Sequence, residues 1–131
     1  MIVMDASVLA NALADMNSGG DKARDVLRDA SQGSIPDLAD VETMSVLRKS
    51  WQRGDLNAER FRAAMIDLAA LPLTRYPSSP LMQRAFELRD NLTPYDACYV
   101  ALAEELACPL YTADRRLANA PGRKCEIRIV A

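Results

Sequence analysis

The chain contains no histidine among its 131 residues. Without imidazole there is no Ser-His-Asp triad, no Cys-His dyad, no histidine-ligated zinc and no histidine general base. Cysteine is scarce. Cys98, Cys108 and Cys125 are odd in number, widely spaced and free of any C-x-x-C pair. That argues against a disulfide framework or a zinc cluster and suits a reducing, cytoplasmic setting. There is no run of 18 apolar residues, so no membrane span is expected. The start, Met1-Ile2-Val3-Met4-Asp5, meets an acid at once and has neither a basic n-region nor an apolar h-region, so no signal peptide is expected. No internal repeat, low-complexity tract or linker interrupts the chain, and one domain over residues 1–131 is expected.

Half of the residues are hydrophobic and 26% are charged, an ordinary globular balance. The formal charge of −2 does not mark a nucleic-acid binder. A basic patch or a bound cation would reverse that field locally.

Short apolar runs alternate with helical periodicity. Ile2–Met4 reads as a buried strand that ends at Asp5. Ala6–Ala14 reads as a helix with Ser7 as a candidate N-cap. Asn17-Ser18-Gly19-Gly20 reads as a loop. Asp21 is a cap for a helix whose apolar positions are Ala23, Val26, Leu27 and Ala30, stopped by Gly33. Ser34-Ile35-Pro36 reads as a strand fragment, and Asp37 as the N-cap of a helix from about Leu38 to Arg53, closed by Gly54. Asn57 caps the next helix, where Phe61, Ala64, Met65 and Leu68 keep the helical period until Pro72. Leu73–Tyr76 reads as a strand. Ser79-Pro80 opens a helix to about Asp90, and Thr93-Pro94 opens another to about Leu106. Leu110–Thr112 is a strand, Asp114–Ala118 one helical turn, and Glu126–Val130 a last strand. Strands separated by helices predict an α/β fold, with a central, mainly parallel sheet of four to five short strands and helices on both faces.

In open parallel sheets, ligand sites gather beyond the carboxyl ends of the strands, where helix N-termini also point. Four acids share that address: Asp5, Glu42, Asp96 and Asp114. Each also has a plain structural role open to it. Asp96 and Asp114 fit helix capping, and Glu42 fits a solvated helix face. Asp5 is harder to dismiss, because no Lys or Arg lies within ten residues of it. If these acids converge, two carboxylates ~5 Å apart repel by roughly 3 kcal/mol at an effective dielectric of about 20. They must then protonate or share a cation, and a hard divalent ion is the natural partner for oxygen ligands.

Four blocks carry a family resemblance: Met4-Asp5-Ala6-Ser7-Val8-Leu9, Asp40-Val41-Glu42, Thr93-Pro94-Tyr95-Asp96-Ala97-Cys98-Tyr99-Val100-Ala101-Leu102-Ala103, and Leu110-Tyr111-Thr112-Ala113-Asp114-Arg115-Arg116-Leu117. Together they resemble the PIN-domain ribonucleases, in particular the VapC toxins of bacterial type II toxin–antitoxin systems. The resemblance implies a PIN-like fold over the whole chain. It implies metal-dependent endoribonuclease activity, with Asp5, Glu42, Asp96 and Asp114 gathering Mg2+ or Mn2+ so that activated water cleaves RNA. It also implies supporting roles for Thr112 and Ser7, a VapB-like antitoxin whose basic side chain is directed toward the acids, and a toxin homodimer. Asp40 is outside the implied ligand set. Arg115 and Arg116 are candidates for RNA contact, whereas Arg48, Lys49 and Arg53 read as solvated. Trp51, Phe61 and Tyr95 read as packing residues, with base stacking as the alternative.

Two rival readings stand beside this one. A phosphoacceptor receiver domain is also α/β with acids at strand ends, but it wants paired acids after the first strand. Here Asp5 is alone, and Lys124 sits beside a turn at the far end. A non-catalytic interaction module on the same fold is the other.

Overall fold

In a computed structural model, described for residues 1–29 and 33–131, all five strands form one parallel sheet. The strands are β1 (Ile2–Met4), β2 (Gly33–Pro36), β3 (Thr74–Tyr76), β4 (Leu110–Thr112) and β5 (Ile127–Ile129), in the order β3-β2-β1-β4-β5. The helices are α1 (Ala6–Ala14), α2 (Ser18–Asp29), α3 (Leu38–Gln52), α4 (Ala58–Ala70), α5 (Met82–Glu87), α6 (Pro94–Glu105) and α7 (Arg115–Ala118). None of these is long and apolar enough to cross a membrane.

Successive side chains of a strand point to opposite faces. Val3 packs with Ile35, Leu110 and residues 97–103 of α6, while its neighbour Met4 packs with Val8 and Ala12 of α1 and Ala23 of α2. The sheet is therefore covered on both sides, as the patterning predicts. Residues 97–103 of α6 are all buried, which explains a helix apolar on every side.

Several local signals resolve differently from the sequence reading. Asp5, rather than Ser7, is the N-cap of α1. The tract Ser18-Gly19-Gly20, read as loop, is the first turn of α2, and Gly33 opens β2 instead of closing a helix. Ala30 lies outside the described residues. Asp37 precedes α3 but does not cap it through its side chain. Its Oδ1 accepts from the Ser78 amide (3.1 Å) and hydroxyl (2.5 Å), and Ser78 Oγ accepts from the Leu38 amide (3.3 Å). That exchange ties the start of α3 to the segment after β3. The helix expected over 79–90 is a 3-10 turn at Ser79–Leu81 followed by the short α5.

The turn between α1 and α2 shows why glycine sits inside a helix. Arg24 donates to the carbonyls of Ala12 (3.1 Å) and Asp15 (2.8 Å), satisfying acceptors left open at the end of α1. A Cβ on Gly20 would stand 1.8 Å from the Asp15 carbonyl oxygen. Replacing glycine by alanine inside a helix normally gains up to about 1 kcal/mol. Here the sign reverses: Gly20→Ala is expected to lower the urea midpoint, losing at least about 1 kcal/mol, because backbone must move.

Candidate active site

The sheet order reverses direction at β1. From β1 the chain passes outward through β2 to β3, then returns to build β4 and β5 on the other side. Such a reversal opens a crevice beyond the carboxyl ends of the two central strands. The β1–β4 register pairs Val3 with Leu110 and Met4 with Tyr111, which brings Asp5 beside Thr112 at the crevice. The first turn of α3 follows β2 to the same edge. The α6 helix runs back toward the start of β4, so its first turn, with Asp96, stands there too.

Asp5, Glu42, Asp96 and Asp114 line one cleft of about 710 Å3. Asp5 is only 5% exposed, and the other three are partly buried. Its Oδ1 accepts from the amides of Ser7 (3.1 Å) and Val8 (3.2 Å) and from the Ser7 hydroxyl (2.5 Å). Its Oδ2 accepts from the Thr112 hydroxyl. Each hydroxyl spends its proton on Asp5 and accepts a backbone amide from the β4–α7 corner. Ser7 Oγ takes Ala113 N–H (2.9 Å) and Thr112 Oγ1 takes Asp114 N–H (3.0 Å). Ser7 and Thr112 thus couple the position of Asp5 to that of Asp114.

Glu42 accepts a hydrogen bond from the fully buried Tyr99 (2.7 Å). Burial and the facing Glu42 charge keep the Tyr99 phenol protonated, so it is a permanent donor. Sequence reading did not single out Tyr99. The signal was its spacing of three from Asp96 on a helix, which puts both on one side. Asp114 caps α7 through the Arg116 amide (3.0 Å), as the capping alternative predicts, and the same carboxylate lines the cleft. The Arg116 guanidinium grips it with two bonds (3.2 and 3.1 Å) while remaining 92% exposed.

The electrostatics divide the four acids. Burial pushes Asp5 up from the ordinary carboxylate range against its hydrogen bonds, and the charge of Asp96 adds to the rise. Burial raises Glu42, and Asp96 and Asp5 add to it. Burial and then the charge of Asp114 raise Asp96. Asp114 is lowered by its Arg116 hydrogen bonds. Asp5, Glu42 and Asp96 thus line one cleft with raised values, none of them in a salt bridge among the described residues, while Asp114 is paired with Arg116. Among the described residues, no three acidic or thiol side chains already converge on one point as a metal cage would require. The donor set is all oxygen and anionic, the chemistry that suits Mg2+ or Mn2+.

Other expectations sort clearly. Asp40 stands outside the cleft and pairs with Arg75 (2.8 and 3.1 Å). Lys49, read as solvated, lines the cleft. Tyr95, read as packing, is 59% exposed and lines it too. Trp51 and Phe61 lie against each other, with ring centres 6.3 Å apart, in an apolar groove formed by α3 and α4. Arg115 is exposed. Lys124 precedes β5 and so belongs to the opposite, amino-terminal edge of the sheet. The strand order also departs from the 2-1-3-4-5 order of receiver-type folds. Both facts remove the phosphoacceptor reading.

The opposite shifts give a direct check. Carboxyl-carbon NMR titration is expected to show Asp5, Glu42 and Asp96 titrating above ordinary Asp and Glu, with Asp114 below. The folded state then holds protons on the first three at pH values where the unfolded chain has released them. Their contribution to stability is full below the ordinary carboxylate pKa and is lost as pH rises through the raised values. Asp114 contributes in the opposite sense, gaining above the ordinary value and losing as pH falls through its lowered one.

The PIN domain family model matches residues 2–123. Ribonuclease VapC9 of Mycobacterium tuberculosis is 44% identical over 130 residues, covering 99% of this chain and 98% of the relative. The solved structure of M. tuberculosis VapC20, a sarcin–ricin-loop-cleaving toxin, superposes with a TM-score of 0.70 at 17% identity, covering 95% of this chain and 97% of that one. The VapBC2 complex of Rickettsia felis, bound to a DNA fragment from its promoter, matches with a TM-score of 0.69 at 14% identity and full coverage of both chains. The last two likenesses are of fold alone. The family match and the identity to VapC9 carry the assignment: this chain belongs to the PIN-domain family, among its VapC ribonucleases.

Proposed function

We propose that the chain is the toxin endoribonuclease of a toxin–antitoxin pair, hydrolysing RNA phosphodiester bonds with water activated at Mg2+ or Mn2+. The observation that carries this reading is that four acids from remote stretches line one cleft, three of them raised above the ordinary carboxylate range by burial. Asp5, Glu42, Asp96 and Asp114 would hold the ion. When bound, it supplies Lewis acidity toward water and phosphate.

The remaining work falls to the chain itself. Asp5 has three donors on Oδ1 and the Thr112 hydroxyl on Oδ2, so Oδ2 is the oxygen with more accepting capacity left. Ser7 and Thr112 fix the rotation of that carboxylate. Tyr99 fixes Glu42. Lys49 and Tyr95 line the same cleft and offer a phosphate contact and a stacking face to single-stranded RNA. Arg115 and Arg116 extend the basic surface beyond Asp114. Arg116 neutralises Asp114. The same uncompensated carboxylates suit a basic side chain of an antitoxin, which would occupy the place of the ion and silence the enzyme.

Cleavage of single-stranded RNA in Mg2+ or Mn2+ tests the reading. The wild type is expected to cut, and Asp5→Asn, Glu42→Gln and Asp96→Asn to lose at least about 100-fold in kcat/KM, comparable to losing one strong electrostatic stabiliser. Tyr99→Phe should fold, retain cleavage at a rate reduced about tenfold or more, and raise the Glu42 pKa further, since the bond it removes lowers that pKa. Undiminished cleavage by all three acid variants would contradict the proposal.

A further inference from the structure

A second cavity of about 370 Å3 adjoins the acid cleft and shares Asp96 and Asp114 with it. Its size falls in the range of roughly 300–1,000 Å3 typical of small-ligand sites. The lining joins Asn91, Thr93 and Asn119 to apolar Leu117 and Pro121. Both asparagines are exposed, and their main chains are held: the Asn91 amide donates to Leu88 (3.1 Å) and the Asn119 amide to Arg116 (3.3 Å). Thr93 Oγ1 accepts the Asp96 amide (3.2 Å) and keeps its own proton to donate.

We propose that this cavity takes the base of the RNA nucleotide beside the scissile phosphate, with Asn91 and Asn119 reading its hydrogen-bonding edge; the inference rests on the ribonuclease reading above. An unpaired base offers donors and acceptors along one edge, and a side-chain amide carries both in one plane. Sequence-specific contacts to RNA fall mainly on such splayed bases. Apolar residues suit the face of the ring. Charge favours a neutral occupant here over a phosphate. Asp96 and Asp114 border the cavity, and Arg116, the one cation lining it among the described residues, is already bound to Asp114. A neutral base enters such a place at far lower cost than an anion. Shared walls with the acid cleft set the base next to the bond to be cut.

The test uses the full chain, Mg2+ and a random-sequence single-stranded RNA pool whose cut sites are sequenced. The wild type should prefer particular bases at one position adjoining the cut. Asn91→Ala and Asn119→Ala should flatten that position, leave preferences elsewhere intact, and lower kcat/KM on the preferred oligonucleotide about tenfold, the scale of one lost hydrogen bond. In parallel, the side-chain amide resonances of Asn91 and Asn119 are followed in the wild type with AMP, CMP, GMP and UMP. A shift with at least one nucleotide is expected. Unchanged base preference in both variants, or amides silent to all four nucleotides, overturns the inference while wild-type cleavage leaves the ribonuclease reading standing. Shifting amides without any RNA cleavage would instead remove the ribonuclease reading and, with it, the placement of the base beside a cut. Amides that respond only to an antitoxin peptide would assign the cavity to that partner and also overturn the inference.

Discussion

The Asp5 carboxyl is buried with no cation beside it among the described residues, and the crevice is built around holding it there. An isolated charge at this depth is costly. The chain offsets the cost with two backbone amides at the start of α1 and two hydroxyls, one from α1 and one from β4. The parallel β1–β4 register makes this possible, because it sets Asp5 beside Thr112. Even so, desolvation wins over the hydrogen bonds, and the acid is left harder to ionise than usual. That residual cost is what a divalent guest would relieve.

Around this anchor the other acids take different parts. Glu42 is steered by a phenol that does not ionise. Asp96 sits in the first turn of α6, where the helix dipole favours a negative charge while its neighbours oppose it. Asp114 is matched by Arg116 and links the crevice to the neighbouring polar cavity. Burying acids that stay hard to ionise lowers folding stability, a trade usual at functional sites. The β3–α3 exchange through Asp37 and Ser78, and the Arg24 clamp on the end of α1, contribute order outside the crevice.

Much of this was legible in the letters. The strand runs, the helical periods and the four strand-end acids were read from spacing and chemistry, and the family from the blocks around them. Where the reading slipped, the cause was tertiary. Ser18-Gly19-Gly20 carries loop composition, yet it forms a helical turn because Gly20 must approach the Asp15 carbonyl. Asp37 looks like a cap, but Ser78, some forty residues away, claims its side chain. Lys49 and Tyr95 cannot be told from surface residues until α3 and α6 are brought to one edge. Tyr99 looks like core, which it is, and its hydroxyl acquires a role only when Glu42 arrives from another helix. Asn91 and Asn119 belong to no pattern along the chain and come to line one cavity only in the fold.

The central claim is that these carboxylates make one place for a doubly charged cation. Anomalous diffraction from a crystal of the protein soaked in Mn2+ measures this most directly. The account predicts a strong peak bounded by the carboxylates of Asp5 and Asp96, with Glu42 or Asp114 completing the oxygen set. Peaks confined to other surfaces, with the crevice empty at millimolar Mn2+, would contradict it.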